Sequence, residues 1–151
     1  MDKKKITAKQ FFRRYEKGER DFQHILLEYA DLSGAELQGI EMGGAQFNYV
    51  NLSGIKLKDC NLSATFTYCN FTNAKIASCN LESTRFFNCD FTNATLTSVN
   101  LTSTYFTRVN LQRTRTSGFG ESPCRFRDVI REDGVFVPGF TFDLYIKNNF
   151  A

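Results

Sequence analysis

Several features that mark common functional classes are scarce in this sequence of 151 residues. It has no Trp, two Pro and one His, and its 19 basic and 16 acidic residues leave a net charge of only +3. A single His and five scattered Cys exclude most zinc sites and His-based catalytic schemes. The small charge does not favour nucleic acid as a partner. No apolar run approaches the roughly 20 residues of a membrane span. We therefore predict no metal, no cofactor and no membrane partner.

What the sequence does contain is a five-residue period from about residue 21 to residue 116. Large apolar residues recur as Phe22, Leu27, Leu32, Leu37, Met42, Phe47, Leu52, Leu57 and Leu62, and then, one residue early, as Phe66, Phe71, Ile76, Leu81, Phe86, Phe91, Leu96, Leu101, Phe106 and Leu111. Two positions before nearly all of them lies a small residue, usually Ala, or Cys, Val, Thr or Ile, and a polar residue, often Asn or Asp, lies between. A period of five fits neither one helix nor one strand, so the chain must turn at short, regular intervals. The apolar column can then be buried only along the axis of a solenoid.

The repeated unit resembles that of the pentapeptide-repeat family, whose members are abundant in cyanobacteria. It is clearest in ADLSG (30–34), VNLSG (50–54), CNFTN (69–73) and CDFTN (89–93). The resemblance implies an all-β solenoid, a right-handed quadrilateral parallel β-helix with four pentads in each turn. We predict an N-terminal capping helix within residues 1–19, the β-helix at 20–118 and a C-terminal cap or tail at 119–151.

Four pentads in each turn predict which side chains stack on one another. One wall stacks Leu27, Phe47, Phe66, Phe86 and Phe106, and the next wall stacks Leu32, Leu52, Phe71, Phe91 and Leu111. The Phe residues gather into columns instead of scattering, which supports this turn length independently of the family. The missing residue between Leu62 and Phe66 predicts one shortened corner. The Asn and Asp residues also form columns, and we expect their side chains to bond to the corner backbone.

Both ends of the repeat are predicted to be covered. Thr7 and Gln10 fit a capping box, so we expect a helix over residues 8–17. A second short helix is predicted to start at Ser122-Pro123 and to carry Phe126, Val129 and Ile130. The apolar, β-prone residues 135–146 are expected to pack across the last coil. The alternative is that this segment docks a partner or forms a dimer; a monomer is slightly favoured.

Four of the five Cys occupy the small inward position, which predicts that Cys60 stacks on Cys79 and Cys69 on Cys89. Stacked Cα atoms at the spacing of adjacent strands, about 4.8 Å, lie within disulfide range. The N-terminal MDKKKITAKQ has no apolar segment behind its lysines, which predicts a cytoplasmic protein with reduced thiols. Cys124 is predicted to lie outside the repeat and to be the most reactive thiol.

No catalytic constellation stands out. His24 has no Ser or Cys partner at a recognisable spacing and is predicted to lie on the surface, and a filled solenoid lacks the pocket that catalysis normally uses. We therefore predict that the protein is not an enzyme. The wall of the Phe column instead has unusual outward residues, which we predict to bind a partner protein: Tyr49, Tyr68, Arg85, Phe87, Tyr105 and Arg108. Aromatic and Arg side chains are typical binding anchors; the alternative is that they shield the corner backbone or pack under the C-terminal segment.

Three functions follow from these observations. The first is a non-catalytic, regulatory protein-interaction scaffold. The second comes from the family resemblance, because some members are anionic rods that imitate duplex DNA and bind gyrase. Here residues 21–63 carry a net charge of −4 and residues 64–118 one of +3, which disfavours that role. The third is a redox-responsive module that uses the stacked thiols. Lys56, Lys75 and Arg115 share an outward column opposite the aromatic wall, and such a patch is most simply a solvated face.

Overall fold

The chain winds into a coil of short strands that stack in register. The computed structural model describes residues 3–117 and 124–141. Its elements, in chain order, are β1 (Lys4–Lys5), α1 (Ala8–Glu16), β2 (Ile25–Glu28), β3 (Glu36–Gln38), β4 (Gln46–Asn48), β5 (Lys56–Lys58), β6 (Thr65–Thr67), β7 (Lys75–Ala77), β8 (Arg85–Phe87), β9 (Thr95–Thr97), β10 (Tyr105–Thr107), β11 (Arg115–Ser117), β12 (Arg125–Ile130) and β13 (Phe136–Thr141). The repeat strands are short because the residues of each pentad that are not in a strand form a corner.

Four walls enclose the coil axis. Two are sheets, one in the order β1-β2-β4-β6-β8-β10-β12-β13 and the other in the order β11-β9-β7-β5-β3. The remaining two walls are columns of isolated parallel bridges, such as Asp31 with Asn51 and Asn61 with Asn80. Consecutive strands of a sheet belong to consecutive turns, so each repeat pairs in parallel with the repeat one turn away. The predicted parallel, four-walled β-helix is confirmed, with about six turns.

The interior is largely apolar and contains stacked Phe rings. On the eight-stranded wall, the ring centroids of Phe66 and Phe86 lie 5.2 Å apart, as do those of Phe86 and Phe106. On the next wall, the rings of Phe71 and Phe91 lie 4.6 Å apart and meet the first column edge to face. All five side chains are at most 2% exposed. The predicted core columns are confirmed.

The shortened corner is also confirmed. The N–H of Ala64 donates to the carbonyl of Leu62 at 2.5 Å, in place of the longer turn found at the equivalent corners of other coils. Strand pairing continues across it, because Phe66 still pairs with Phe47 on one side and Phe86 on the other. The corner is therefore one residue shorter than the others, and the inward side chains of the next coil stay in register with those before it.

Two residue positions build each regular corner. The Asn or Asp column accepts a hydrogen bond from the N–H two residues later, as in Asp31 with Ser33 and Asn70 with Thr72, both at 2.9 Å. This confirms the structural role predicted for the column. We call the large inward residue of each pentad its buried centre. The left-handed backbone conformation occurs mainly two residues after the buried centre: Tyr29, Tyr49, Tyr68, Asn88 and Arg108 all have φ between 50° and 56°.

Helix α1 covers the N-terminal end of the coil. The predicted capping box is present, with the Thr7 hydroxyl accepting from the Gln10 N–H at 3.1 Å and the Gln10 side chain accepting from the Thr7 N–H at 2.8 Å. The helix ends at Glu16, one residue before the predicted end. Its Phe11 is fully buried, with its ring centroid 4.4 Å from that of Phe22 in the first coil.

The C-terminal helix prediction is wrong. Phe126, Val129 and Ile130 lie on strand β12, whose Phe126 pairs with Phe106 and continues the buried column. Ser122 and Pro123 lie outside the described residues. In this repeat, the next small inward residue comes three positions after each large inward residue. Phe126 and Val129 have this spacing because they are inward residues of a further coil. Residues three positions apart also lie on one face of a helix, which is why the segment resembled a helix.

The segment after β12 extends the sheet. Asp133-Gly134 lies in the turn, and β13 then pairs antiparallel with β12. We expected residues 135–146 to pack across the last coil, but residues 136–141 form an added strand along one wall. Residues 142–146 lie outside the described part. Val135, Phe136 and Phe140 are about half exposed, so this strand buries much less apolar surface than the coils do.

Candidate interaction surface

The outward side chains of the eight-stranded wall fall into three parallel columns. The column before the buried centres holds Leu26, Gln46, Thr65, Arg85, Tyr105 and Arg125; the column after them holds Glu28, Asn48, Thr67, Phe87, Thr107 and Arg127; the corner column holds Tyr29, Tyr49, Tyr68, Asn88, Arg108 and Asp128. We call this surface the aromatic wall. Parallel, in-register pairing places equivalent residues of successive turns beside each other, so a similar residue repeated once per turn becomes a continuous stripe.

Three Tyr residues of the corner column form a stacked ladder on the surface. The ring centroids of Tyr29 and Tyr49 lie 5.0 Å apart with a 9° angle between planes, and those of Tyr49 and Tyr68 lie 4.9 Å apart with a 4° angle. Tyr29 is 77% exposed, Tyr49 49% and Tyr68 51%. We call Tyr29, Tyr49 and Tyr68 the tyrosine ladder. Large aromatic surface at this level of exposure is typical of binding sites.

A second aromatic cluster lies in the column before the centres, toward the C-terminal end. The guanidinium carbon of Arg85 lies 5.5 Å from the Tyr105 ring centroid, and that of Arg125 lies 4.9 Å from it. Arg125 also donates a hydrogen bond to the Tyr105 hydroxyl. Tyr105 is thus held between two cations, which stabilises both charges over the ring faces.

The remaining two predicted residues are placed separately. Phe87 lies in the column after the buried centres and is half-buried. Arg108 lies in the corner column, where its Nε donates to Asn88 Oδ1 at 2.8 Å. Beside Arg108 a groove of about 550 Å³ reaches Val109, Ile130 and Phe136. The six predicted residues therefore share one wall but form distinct clusters, and Arg85 and Tyr105 are in contact with each other.

Tyr29 and Arg125 belong to the two aromatic clusters but were not predicted from the sequence. Tyr29 follows the buried Leu27 by two positions, as Tyr49 follows Phe47 and Tyr68 follows Phe66. This regular spacing in the sequence could have placed Tyr29 in the same column as Tyr49 and Tyr68. Arg125 lies in a segment predicted to be helical, where its alignment with Arg85 and Tyr105 is lost. Because β12 belongs to a further coil and pairs with β10, Arg125 lies in the same column as Arg85 and Tyr105.

The five Cys are all buried and unbridged. Cys60 is stacked with Cys79, and Cys69 with Cys89, in adjacent coils, as predicted. The neighbouring Cys79 thiol lowers the pKa of Cys60, while the Cys60 thiol and burial raise the pKa of Cys79. In the second pair the neighbouring Cys89 thiol lowers the pKa of Cys69, and burial raises the pKa of Cys89.

Cys124 differs from the prediction. It occupies the small inward position of the final coil, is 7% exposed, and its sulfur lies 3.5 Å from the Leu101 carbonyl. Burial raises the pKa of its thiol from 9.0 to about 12. Nucleophilic attack requires the thiolate, so Cys124 has no property of a reactive thiol. The prediction failed because its pentad was not recognised beyond Thr116.

The raised pKa of Cys124 predicts a loss of stability at alkaline pH. In the unfolded chain the thiol ionises near pH 9.0, whereas in the folded chain it stays protonated up to about 12. Raising the pH above 9 therefore favours unfolding. This one group should lower the free energy of unfolding by about 1.4 kcal/mol between pH 8 and pH 10.

Urea denaturation of the reduced protein at both pH values measures this change. Cys124→Ala is the comparison, because Ala45 and Ala64 occupy the equivalent inward position in earlier coils. The variant should lose about 1.4 kcal/mol less than the natural protein over this pH range. Equal losses in both proteins would show that the Cys124 thiol does not titrate differently on folding.

Side chains that could bind a metal do not cluster in the described part of the chain. Over residues 3–117 and 124–141, no three His, Cys, Asp or Glu side chains gather in a way that could hold a metal ion. His24 is exposed at a corner with φ of 60°, as predicted for a surface residue. What the wall offers is aromatic and cationic surface, which suits binding.

The family follows from the repeat and its geometry. A family model described as "Pentapeptide repeat region" matches residues 42–116, in the middle of the coil. This chain is a pentapeptide-repeat protein. No curated protein matches its sequence. Among the helices of the described residues, none has the length and hydrophobicity to cross a membrane.

Several solved structures are similar to this pentapeptide-repeat protein, and one of those described below has a TM-score above 0.5. A pentapeptide-repeat protein from the cyanobacterium Cyanothece 51142, Rfr23, has 18% identity and a TM-score of 0.53, covering 75% of this chain and 94% of its own. HetL, involved in heterocyst differentiation regulation in the cyanobacterium Nostoc sp. strain PCC 7120, has 15% identity and a TM-score of 0.34, covering 87% and 100%. QnrB1, a plasmid-mediated fluoroquinolone resistance protein, has 16% identity and a TM-score of 0.33, covering 83% and 78%. At these identities the likeness concerns the fold alone.

Proposed function

We propose that this pentapeptide-repeat protein is a non-catalytic scaffold that binds a partner protein through its aromatic wall and acts in regulation. The observation that carries the proposal is the tyrosine ladder together with the Arg85-Tyr105-Arg125 stack on one side of the coil. The interior is filled by side chains, so function must come from the surface. Tyr and Arg dominate the binding energy of protein interfaces because they offer large, rigid contact areas.

The opposite wall supplies a contrast that supports this choice. Its outward residues are mostly small or singly charged, including Lys56, Lys75, Ala77, Thr95 and Thr97. One of its charges is paired, since Lys56 Nζ lies 3.1 Å from Glu36 Oε1. Charged and small side chains are depleted at interface centres. The aromatic wall is therefore the better interaction surface of the two sheets.

The proposal predicts that charge reversal on the aromatic wall removes partner capture. Arg85→Glu with Phe87→Ser should abolish capture of the partner in a pull-down with mass spectrometry, while the circular-dichroism spectrum stays unchanged, because both side chains point outward from β8. The matched control is Lys75→Glu with Ala77→Ser, the same two strand positions on the opposite wall. If both variants capture the same proteins as the natural chain, the aromatic wall is not the interaction surface.

The two other candidate functions have less support. A DNA-like rod requires negative charge along its whole length, but the C-terminal coils have exposed Arg85, Arg108, Arg113 and Arg115. A gyrase supercoiling assay is the test of that role. A thiol sensor requires access to its sulfur atoms, and the five Cys are at most 7% exposed. Thiol counting with and without reductant is the corresponding test.

A further inference from the structure

The tyrosine ladder has one open end. Tyr49 has a ring on both faces and is 49% exposed, and Tyr68 is exposed to almost the same extent, at 51%. Tyr29 is 77% exposed, because only the face toward Tyr49 is covered. The ladder thus ends at the N-terminal side in a flat, solvent-exposed ring face. A ring face has a negative quadrupole, which attracts a planar cation.

This protein repeatedly covers ring faces with Arg. Arg14 stacks on Phe22, Arg20 on Tyr15, and Arg85 and Arg125 on Tyr105, with guanidinium-to-centroid distances of 3.8–5.5 Å. Within residues 3–117 and 124–141, no cationic side chain covers a ring of the tyrosine ladder. The Arg stacking found on Tyr15 and Tyr105 is therefore missing at Tyr29 within the described residues.

Two carboxylates close to Tyr29 in sequence, those of Glu28 and Asp31, can attract a cation from outside the chain. The basic residues 1–20, with a net charge of +5, lie beside the first coil through β1 and α1, so this attraction comes from the two carboxylates and not from the net charge of the coil end. Asp31, two residues after Tyr29, is fully exposed, and its hydrogen bonds with Ser33 lower its pKa, so it remains ionised near neutral pH. Glu28, the residue before Tyr29, is partly neutralised by Lys5 at 3.3 Å. Asp31 is thus the carboxylate available to a partner's cation at this corner.

We propose that the open face of Tyr29, with Asp31, is a docking site for an arginine side chain of a partner polypeptide. This inference rests on the proposed function, because it names the partner chemistry for one end of the aromatic wall. Arg fits better than Lys because its guanidinium is flat and weakly hydrated, so it can lie on the ring and still donate to a carboxylate. The ladder keeps Tyr29 in place, since its ring is fixed against Tyr49.

The test uses two fluorescein-labelled peptides of equal length, one of alternating Gly and Arg and the other of alternating Gly and Lys. Fluorescence anisotropy with the full-length protein should show tighter binding of the Arg peptide. Proton NMR should show an upfield shift of the arginine side-chain CH₂ signals, which reports stacking over a ring. Equal affinity for the two peptides, or no binding of the Arg peptide, would overturn the proposal.

Two variants remove the site without disturbing the corner. Tyr29→Asn deletes the ring face, and Asn is suited to the backbone there because Asn88 occupies the same column with a similar φ of 56°. Asp31→Asn deletes the charge but keeps the turn, since Asn51 and Asn70 accept the same bond in later coils. We expect binding of the Arg peptide to weaken about threefold to thirtyfold with Tyr29→Asn and about twofold to fivefold with Asp31→Asn.

The matched control is Tyr68→Asn, which removes the ring at the covered end of the ladder and leaves Tyr29 and Asp31 intact. Its affinity should stay within about twofold of the natural protein. If Tyr29→Asn binds the Arg peptide as tightly as Tyr68→Asn does, the open face is not the site. That failure is separable from failure of the scaffold proposal, because the Arg85→Glu/Phe87→Ser pull-down leaves Tyr29 and Asp31 unchanged.

Discussion

Replacing Phe86 by alanine should lower the free energy of unfolding by about 3–5 kcal/mol. Phe86 lies where the two Phe columns meet: its ring stacks on Phe66 and Phe106, both at 5.2 Å, and meets Phe71 and Phe91 edge to face at 5.7 Å and 4.9 Å. Alanine would leave a cavity among four rings that are held by strand pairing above and below. Such a site cannot collapse, so the full cost of the cavity is expected.

Urea denaturation followed by circular dichroism measures this loss. Phe87→Ala is the matched control, because the neighbouring ring points outward on the same strand and is half-buried, at an expected cost of about 1 kcal/mol. Since each coil contacts only its neighbours, amide exchange should also rise most in the coils next to Phe86. Equal destabilisation by the two variants would show that the inward column does not dominate stability.

The core could be predicted because one period describes it. The inward position recurs from Phe22 to Leu111 regardless of which apolar residue fills it, so the spacing alone predicts a solenoid, and the resemblance to the pentapeptide-repeat family implies its four walls. The N-terminal cap could also be predicted, because Thr7 and Gln10 make a local motif with its own hydrogen bonds. Both features depend on contacts that are close in sequence or repeated at a fixed distance.

The C-terminal coil could not be predicted because its pentad is degenerate. Cys124, Phe126 and Val129 keep the small-large-small inward pattern, but Ile130 takes the place of the usual Asn or Asp and Arg131 follows where a large apolar residue is expected. Parallel pairing with β10 then decides the conformation. The tertiary contact overrides the local pattern, which equally fits an amphipathic helix.

The candidate interaction surface could be predicted only as a wall. Outward positions follow directly from the period, which placed Tyr49, Tyr68, Arg85, Phe87, Tyr105 and Arg108 on one side. Which of them touch depends on the column each belongs to and on side-chain direction. Arg85 pairs with Tyr105, whereas Arg108 bonds to Asn88 in another column. The open face of Tyr29 is a property of the end of a stack, and no single pentad contains it.

Replacing Phe11 by alanine should lower the free energy of unfolding by about 3–5 kcal/mol and release the N-terminal end of the coil. Phe11 is the fully buried residue of α1, and its contact with Phe22 joins the helix to the first coil. Without it, α1 retains partly buried apolar contacts from Ala8, Phe12 and Tyr15 and the stacking of Arg14 on Phe22. Detachment would expose Phe22 and the backbone edge of the first turn, and exposed edges of stacked strands associate.

Two measurements separate this effect from a simple loss of helix. Thermal denaturation should show the loss of stability, and light scattering over a range of concentrations should show association of the variant at concentrations where the natural chain remains dispersed. Arg13→Ala is the control, because Arg13 is exposed on the same helix and alanine maintains the helix. If Phe11→Ala unfolds like Arg13→Ala and the amide of Phe22 exchanges no faster, the coil end is stable without its helix. In that case the helix would be an appendage, and the stacked rings and strand pairing of the first coil would be sufficient to close it.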